Sequence, residues 1–123
     1  KGVFMTQKEI IKKIVKALDS KRAENIQVIK IGDLTILGDY FIIANGTSST
    51  HTKTLADEVE YQLSQEKIEP DHIEKDNTGS WIILDYNDII VHVFHKEARD
   101  FYNLENLWAD GEPVDISEYL KKD

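Results

Sequence analysis

Asp39-Tyr-Phe-Ile-Ile-Ala-Asn-Gly46 is a nearly unbroken apolar run that ends in glycine. Because both faces of such a run are apolar, the pattern predicts a central strand that is covered on both sides. The polar turn Gly46-Thr-Ser-Ser-Thr50 follows, and Thr47, Ser48 or Ser49 could cap the N-terminus of the next helix. A covered strand that leads into a capped helix is typical of layered α/β folds.

Helical patterns flank this strand on both sides. Thr6 and Glu9 have the spacing of a capping box, and apolar residues then recur at helical intervals, which predicts a first helix from about Gln7 to Ser20. A second helix is predicted after the turn and ends before Pro70. Its apolar face is formed by Leu55, Ala56, Val59 and Leu63.

The remaining segments complete an α/β order. Tyr86, Asn87 and Asp88 predict a hairpin turn, a third helix is expected from about Glu97 to Leu107, and the acidic C-terminal stretch has capping spacing for one short helix. The order α-β-β-α-β-β-β-α predicts a single mixed β-sheet of about five strands with flanking helices, in which the second helix can connect parallel strands. Besides the first run, the predicted strands are Ile26–Ile31, His72–Lys75, Ser80–Asp85 and Ile89–His95.

Composition limits the possible functions. The 123 residues have a formal net charge of −8, so nucleic-acid binding through phosphate neutralisation is not expected and a basic protein partner fits better. The absence of cysteine excludes disulfides, thiolate zinc sites and cysteine nucleophiles. No apolar run is long enough to span a membrane, and the N-terminus lacks a signal-peptide pattern, so we expect a cytoplasmic protein without membrane contact.

The length predicts one compact domain. We assign residues 6–110 to that domain, residues 1–5 to an N-terminal segment, and residues 111–123 to an acidic C-terminal tail. The four residues before Met5 are the expected position of a cloning remnant.

Histidines and carboxylates are the candidate residues for metal binding and catalysis. His92 and His95 are three apart on a strand and point to opposite faces, so they form a poor metal pair. Asp39, Asp85 and Asp88, together with the Gly46 turn, have a weak similarity to the metal and phosphate sites of nucleotidyltransferases. A capping turn and ordinary turn residues explain the same pattern, so no catalytic residue, metal ligand or cofactor is predicted.

The strand that begins near Trp81 is a better candidate for a binding surface. Alternation places Trp81, Ile83 and Asp85 on one face, so an indole shares a face with a carboxylate. Tryptophan is enriched among the residues that dominate protein interfaces. The alternative is that Trp81 and Trp108 are core aromatics, and spacing alone leaves both interpretations open.

Four blocks in this order resemble the ribosomal silencing factor family, which is also called RsfS or Iojap-like. The resemblance spans about residues 6–110. The blocks are Asp39–Ser49, Ser80–Asp85, Ile89–Phe94 and Arg99–Trp108.

The resemblance implies a small α/β domain with nucleotidyltransferase-like topology but without a demonstrated active site. It also implies that the chain binds the fourteenth large-subunit ribosomal protein on the 50S subunit, blocks joining of the small subunit and represses translation during nutrient limitation. An acidic domain suits docking on a basic ribosomal protein. Assembly of the large subunit and a metal-dependent nucleotidyltransferase remnant remain alternative functions, and a homodimer is compatible with the family.

Matching the family pattern predicts the partner contacts in this sequence. Trp81 is the expected aromatic anchor, and Asp85 or Asp88 the expected partner of a lysine or arginine. Arg99 and Tyr102 are expected to hold the third helix against the sheet. Thr50 and Lys75 depart from residues that are common in the family, which weakens assignments in their two loops. The predicted contact set is Trp81, Ile83, Leu84, Asp85, Tyr86, Asp88 and Glu105.

Overall fold

The computed structural model describes residues 5–31, 39–97 and 111–120, which form a six-stranded mixed sheet with two α-helices. The α/β class and the single mixed sheet are confirmed, with one strand more than the sequence predicts. The elements are α1 (Gln7–Ser20), β1 (Glu24–Lys30), β2 (Tyr40–Gly46), α2 (Ser49–Ser64), β3 (His72–Lys75), β4 (Trp81–Asp85), β5 (Ile89–His95), β6 (Glu112–Pro113) and a 3-10 helix (Ser117–Tyr119).

The strand order across the sheet is β3-β4-β5-β2-β1-β6. Among the strands of the described ranges, β2 and β5 pair in parallel, with Tyr40 opposite Ile89 and Gly46 opposite His95, and the other pairs are antiparallel. The predicted central position of β2 is confirmed, because its residues from Phe41 to Gly46 are all buried. Helix α2 connects β2 to β3, two strands that run in the same direction.

Helix α1 begins at the predicted capping box. The Thr6 hydroxyl accepts a hydrogen bond from the Glu9 backbone N–H at 3.1 Å, and the Glu9 carboxylate accepts one from the Thr6 backbone N–H at 2.9 Å. Both contacts satisfy backbone groups at the start of the helix that no helical carbonyl can reach. The predicted limits of this helix are confirmed.

The larger core cluster lies between the helices and one face of the sheet. Apolar stripes of α1 and α2 pack there against alternate residues of the strands, as the helical spacing predicts. Fully buried members include Ile14, Leu18, Ile42, Leu55, Leu63 and Val91.

A second cluster occupies the opposite face of the sheet. Phe41, Ile43 and Phe94 are its most buried members, at no more than 1% exposure. His92 lies among these aromatic rings and is 7% exposed. Because both faces of β2 and β5 are buried, these strands are apolar along nearly their whole length.

Gly46 brings β2 close to the first turn of α2. A Cβ at this position would lie 2.9 Å from the backbone nitrogen of Thr52 and 3.1 Å from its hydroxyl. Ser48 is the N-cap, and its hydroxyl accepts a hydrogen bond from the His51 backbone N–H. The Thr52 hydroxyl donates to the Ser48 carbonyl, so the turn predicted to be a helix cap is confirmed as one.

His51 joins this turn to the end of α1. Its Nδ1 accepts a hydrogen bond from the Thr47 backbone N–H at 2.9 Å. The proton is therefore on Nε2, which lies 2.7 Å from the Lys21 carbonyl and donates to it. The histidine has a structural role at the junction between the helices.

Residues 111–120 pack against the domain. Strand β6 pairs with β1 through Pro113 opposite Ile29 and Glu112 opposite Lys30. Ile116 and Tyr119, each 8% exposed, join the larger core cluster. The short helix expected in this stretch is a 3-10 helix, preceded by a hydrogen bond from the Ser117 backbone N–H to Asp115.

Within the part of the chain that the structure describes, no helix is both long and apolar enough to cross a membrane. The third predicted helix lies outside the described ranges after its first residue, Glu97, and Arg99, Tyr102 and Trp108 lie outside them too.

We predict that Gly46→Ala destabilises the protein by about 1–3 kcal/mol, because the added methyl group would push against the backbone at Thr52. Urea unfolding measures the effect. Thr54→Ala, at an exposed position of the same helix, is the control and should change stability by less than about 0.5 kcal/mol. Equal effects of the two substitutions would contradict the steric explanation.

We also predict a loss of stability as the pH falls below about 6.5. Burial lowers the pKa of His92 from 6.5 to about 4, so the unfolded chain takes up a proton that the folded protein does not. The His92 contribution to the free energy of unfolding is fully present above pH 6.5, falls by about 2 kcal/mol by pH 5, and is lost near pH 4.

Urea unfolding of wild type and His92→Gln at about pH 7.5 and 5 isolates this contribution from that of the carboxylates. The glutamine keeps an acceptor for the nearby Trp81 indole N–H but does not titrate. Wild type should lose about 2 kcal/mol more than the variant between the two pH values. An equal loss in both proteins would contradict the assignment.

Candidate protein-binding site

Strand β4 presents two different faces, as alternation predicts. Ile82 and Leu84 are buried against the helices, whereas Trp81, Ile83 and Asp85 are partly exposed. The antiparallel register places Trp81 opposite Phe94 of β5, so the exposed set shares the sheet face of the second core cluster. We call Trp81, Ile83 and Asp85 the β4 outer face.

Trp81 belongs both to the core and to the surface. Its ring stacks on Phe94 with 5.2 Å between ring centroids and 19° between ring planes, and it lies 6.3 Å from the His92 ring. The indole N–H donates a long hydrogen bond of 3.4 Å to His92 Nδ1. Trp81 as a whole is partly exposed, so it contributes both to the core and to the surface, the two interpretations that the sequence leaves open.

Ionisable side chains of the edge strand extend the β4 outer face. The register pairs His72 of β3 with Asp85 and Glu74 with Ile83, which places all four on one side of the sheet. The imidazole Nε2 of His72 lies 3.2 Å from Glu74 and 3.5 Å from Asp85. His72 and Glu74 are absent from the predicted contact set. The sequence of β3 alone does not indicate that these two residues belong to the surface. Their place follows from the pairing of β3 with β4.

The turn after β4 is held by Asp85. One carboxylate oxygen accepts a hydrogen bond from the Asn87 backbone N–H at 2.8 Å, and Asn87 adopts a left-handed conformation with φ of 73°. Asparagine tolerates this conformation better than most residues, as the sequence prediction of a turn assumes. The second oxygen of Asp85 faces His72, so this carboxylate both shapes the turn and contributes charge to the surface.

Asp88 connects the turn to the central strand. Its carbonyl accepts hydrogen bonds from the backbone N–H groups of Asp39 and Tyr40, at 2.8 and 3.0 Å. Its side chain is exposed beside the end of β4. These contacts fix the position of the Asp88 backbone relative to β2.

Leu84 and Tyr86 lie on the other side of β4 from Trp81. Leu84 is 1% exposed and packs in the larger core cluster, so its side chain is not available to a partner in this conformation. Tyr86 is partly exposed, but its hydroxyl is buried without a hydrogen-bond partner among the described residues. Burial raises the pKa of this hydroxyl, with smaller contributions from Glu60 and Glu69. Glu105, the remaining predicted contact, lies outside the described ranges.

The carboxylates that suggested a nucleotidyltransferase have other partners. Asp39 accepts a hydrogen bond from the Gln7 side chain at 2.6 Å, and Asp85 is bonded to the turn. Among residues 5–31, 39–97 and 111–120, no three histidine or carboxylate side chains are placed to share a metal ion. The arrangement is suited to binding a protein surface: an aromatic and an aliphatic side chain beside carboxylates.

The chain is similar to several named proteins and solved structures, of which three are described here. The ribosomal silencing factor of Bacillus subtilis is 37% identical over 112 residues, which cover 91% of this chain and 95% of that protein. A mouse protein named for mitochondrial assembly of the ribosomal large subunit is 29% identical over 99 residues, covering 78% of this chain and 43% of that protein. A crystal structure of a Chromobacterium violaceum protein has a TM-score of 0.82 and 31% identity, covering 85% of this chain and 88% of that one.

The family model described as ribosomal silencing factor during starvation matches residues 5–123. The match includes residues 111–120, which pack on the sheet, as well as the blocks on which the resemblance was based. The resemblance is therefore confirmed, and the chain belongs to the ribosomal silencing factor family.

Proposed function

We propose that this chain is a non-enzymatic repressor of translation that binds the large ribosomal subunit through the β4 outer face. Its direct partner is the fourteenth large-subunit ribosomal protein, and the bound domain blocks joining of the small subunit. Family membership supports the ribosomal setting. The observation that carries the choice of surface is that Trp81 and Ile83 are partly exposed on the same side of the sheet as the carboxylates of Asp85 and Glu74.

The composition of this surface favours a basic protein partner. Trp81 and Ile83 supply apolar area that a partner can cover, and an aromatic ring already stacked on Phe94 loses little conformational freedom on binding. Glu74 and Asp85 add negative charge on the same side of the sheet, and the exposed Asp88 lies in the turn after Asp85. Charge complementarity of this kind speeds association with a lysine- and arginine-rich surface and disfavours contact with phosphate.

The proposed mechanism requires only that the bound protein covers part of the large-subunit surface that meets the small subunit. A chain of 123 residues that covers part of the subunit interface excludes the other subunit by its volume, without any chemical step. Repression then depends on the concentration of the factor relative to its dissociation constant, since the blocked fraction follows the bound fraction.

We predict that Trp81→Ala weakens binding to the purified ribosomal protein at least about tenfold, equivalent to about 1.4 kcal/mol, because the variant removes the aromatic contact. Isothermal titration calorimetry measures the affinity. Tyr61→Ala is the matched control, because Tyr61 is an exposed aromatic residue on α2, and it should bind like wild type. Wild-type affinity of a folded Trp81→Ala protein would reject Trp81 as an anchor.

Trp81 also packs on the core, so its replacement can affect folding as well as binding. A double substitution at two charged residues tests the surface while leaving the core packing unchanged. Asp85→Asn with Glu74→Gln keeps the shape of both side chains and, at Asp85, the acceptor for the turn. The double variant should bind about three- to tenfold more weakly at low salt, mainly through slower association, and differ less from wild type at high salt. A difference that does not depend on salt would contradict the electrostatic contribution.

A role in assembly of the large subunit is the second candidate, and the name of the mouse relative favours it. Both functions use the same surface, so binding data do not separate them. We predict that a strain lacking the gene has normal large-subunit precursors and fails to repress translation during starvation. Sucrose-gradient profiles provide the measurement, and accumulation of immature large subunits in growing cells would favour assembly instead.

A further inference from the structure

Strand β3 lies at one end of the sheet, directly beside the β4 outer face. Among the described residues it pairs with β4 alone, and no other strand lies on its opposite side. All four residues of the strand, from His72 to Lys75, are exposed. The side of β3 that faces away from β4 is therefore open to pairing with another chain.

Hydrogen bonds at the two ends of β4 show which backbone groups of β3 point outward. The Tyr86 N–H donates to the Ile89 carbonyl at 3.0 Å, so even-numbered residues of β4 bond to β5 and odd-numbered residues bond to β3. Consistently, the Trp81 carbonyl accepts a hydrogen bond from the Asp76 N–H at 3.1 Å. Even-numbered residues of β3 therefore bond to β4, and its odd-numbered residues direct their N–H and carbonyl groups away from the sheet.

The outward row consists of the N–H and carbonyl groups of Ile73 and Lys75, which we call the β3 edge. Asp71, just before the strand, does not extend this row, because its N–H donates to the Asp85 carbonyl at 2.7 Å. Within the described ranges, no turn, loop or side chain bonds to the backbone of Ile73 or Lys75. Two donors and two acceptors are thus available to one short added strand.

The side chains beside the β3 edge alternate between the two sides of the sheet. His72 and Glu74 lie on the side of the β4 outer face. Ile73 lies on the helix side, opposite Leu84, and is 37% exposed. A strand added at the edge would alternate in the same way. Its side chain opposite Glu74 would continue the β4 outer face, and its side chain opposite Ile73 would cover an exposed apolar residue.

The charge around the edge favours a basic strand. Residues 69–76 contain four carboxylates and a single lysine, Lys75. A lysine or arginine opposite Glu74 would form the cross-strand pair of opposite charges that stabilises a sheet. The segment that fits this edge is therefore extended and alternates basic with apolar side chains.

We propose that such a segment of the basic protein partner adds to the sheet as a further strand at the β3 edge. This inference rests on the proposed function, because it assigns part of the same partner to the edge beside the β4 outer face. One partner can cover both, since neighbouring strands are only about 5 Å apart. In this mode of binding, backbone hydrogen bonds contribute affinity and the alternating side chains contribute specificity.

A second copy of this chain is a poorer occupant of the edge. Its own residues 69–76 carry the same excess of carboxylates, so pairing two copies there would bring like charges together. A basic strand brings charges of the opposite sign to the same positions. Backbone hydrogen exchange distinguishes the two occupants.

The test follows amide hydrogen exchange by NMR, with and without the purified ribosomal protein. In the free protein the amides of Ile73 and Lys75 should exchange at least about tenfold faster than the amide of Glu74, which faces β4. Binding should slow exchange at Ile73 and Lys75 at least about tenfold.

Three outcomes of this experiment would contradict the proposal. A complex in which both outward amides exchange as in the free protein would overturn strand addition and leave the proposed function standing. Slow exchange of the same amides in the free protein at high concentration would overturn the choice of occupant in favour of a second copy. Failure of the ribosomal protein to bind would overturn the proposed function together with this inference.

A proline substitution at the edge provides a second measurement. Ile73→Pro removes an outward N–H, whereas the matched control Ile73→Ala removes the side chain and keeps the N–H. Since this N–H does not bond to β4, the two variants should unfold at similar urea concentrations. Ile73→Pro should bind the ribosomal protein at least about fivefold more weakly than Ile73→Ala.

Lys75→Pro and Lys75→Ala repeat the comparison at the other outward N–H. Equal affinities of the proline and alanine variants at both positions would overturn strand addition. A much lower urea midpoint for each proline variant than for its alanine control would contradict the outward orientation of these N–H groups, on which the proposal depends.

Discussion

The parallel pairing of β2 with β5 is the contact on which the other features depend. It joins Tyr40–Gly46 to Ile89–His95 without a register shift, and both strands are buried on both faces. The end of β2 sets the start of α2 at Gly46, and the start of β2 holds the turn at Asp88 through two backbone hydrogen bonds. The same β5 provides Phe94, on which Trp81 stacks. Packing at the centre of the sheet thus positions the binding surface at its side.

Much of this architecture is encoded in local patterns. The apolar run of β2, the capping box at Thr6 and the turn at Asn87 each have a physical cause within a few residues, and the structure has them where the sequence predicts. Strand β6 is not predicted from the sequence, because it depends on a contact with a distant part of the chain. Its two residues have no pattern of their own, and their pairing depends on β1, more than eighty positions earlier in the chain.

The contact residues can likewise be predicted only in part from the sequence. Alternation separates Leu84 from Trp81, and the structure has Leu84 in the core, whereas the family resemblance places both residues in the contact set. Conversely, His72 and Glu74 reach the β4 outer face only through the β3–β4 register, which sequence spacing does not specify. Trp81 could not be assigned to core or surface because its ring belongs to both.

The position of β3 at the end of the sheet has a consequence for behaviour at high concentration. All four of its residues are exposed, and an edge strand with free backbone groups is a template on which other chains can aggregate. Glu74, His72 and Lys75 make three of the four positions ionisable, which opposes the growth of a continuous β-structure from this edge. The side chains that adjoin the binding surface thereby also help to keep the protein in solution when no partner covers it.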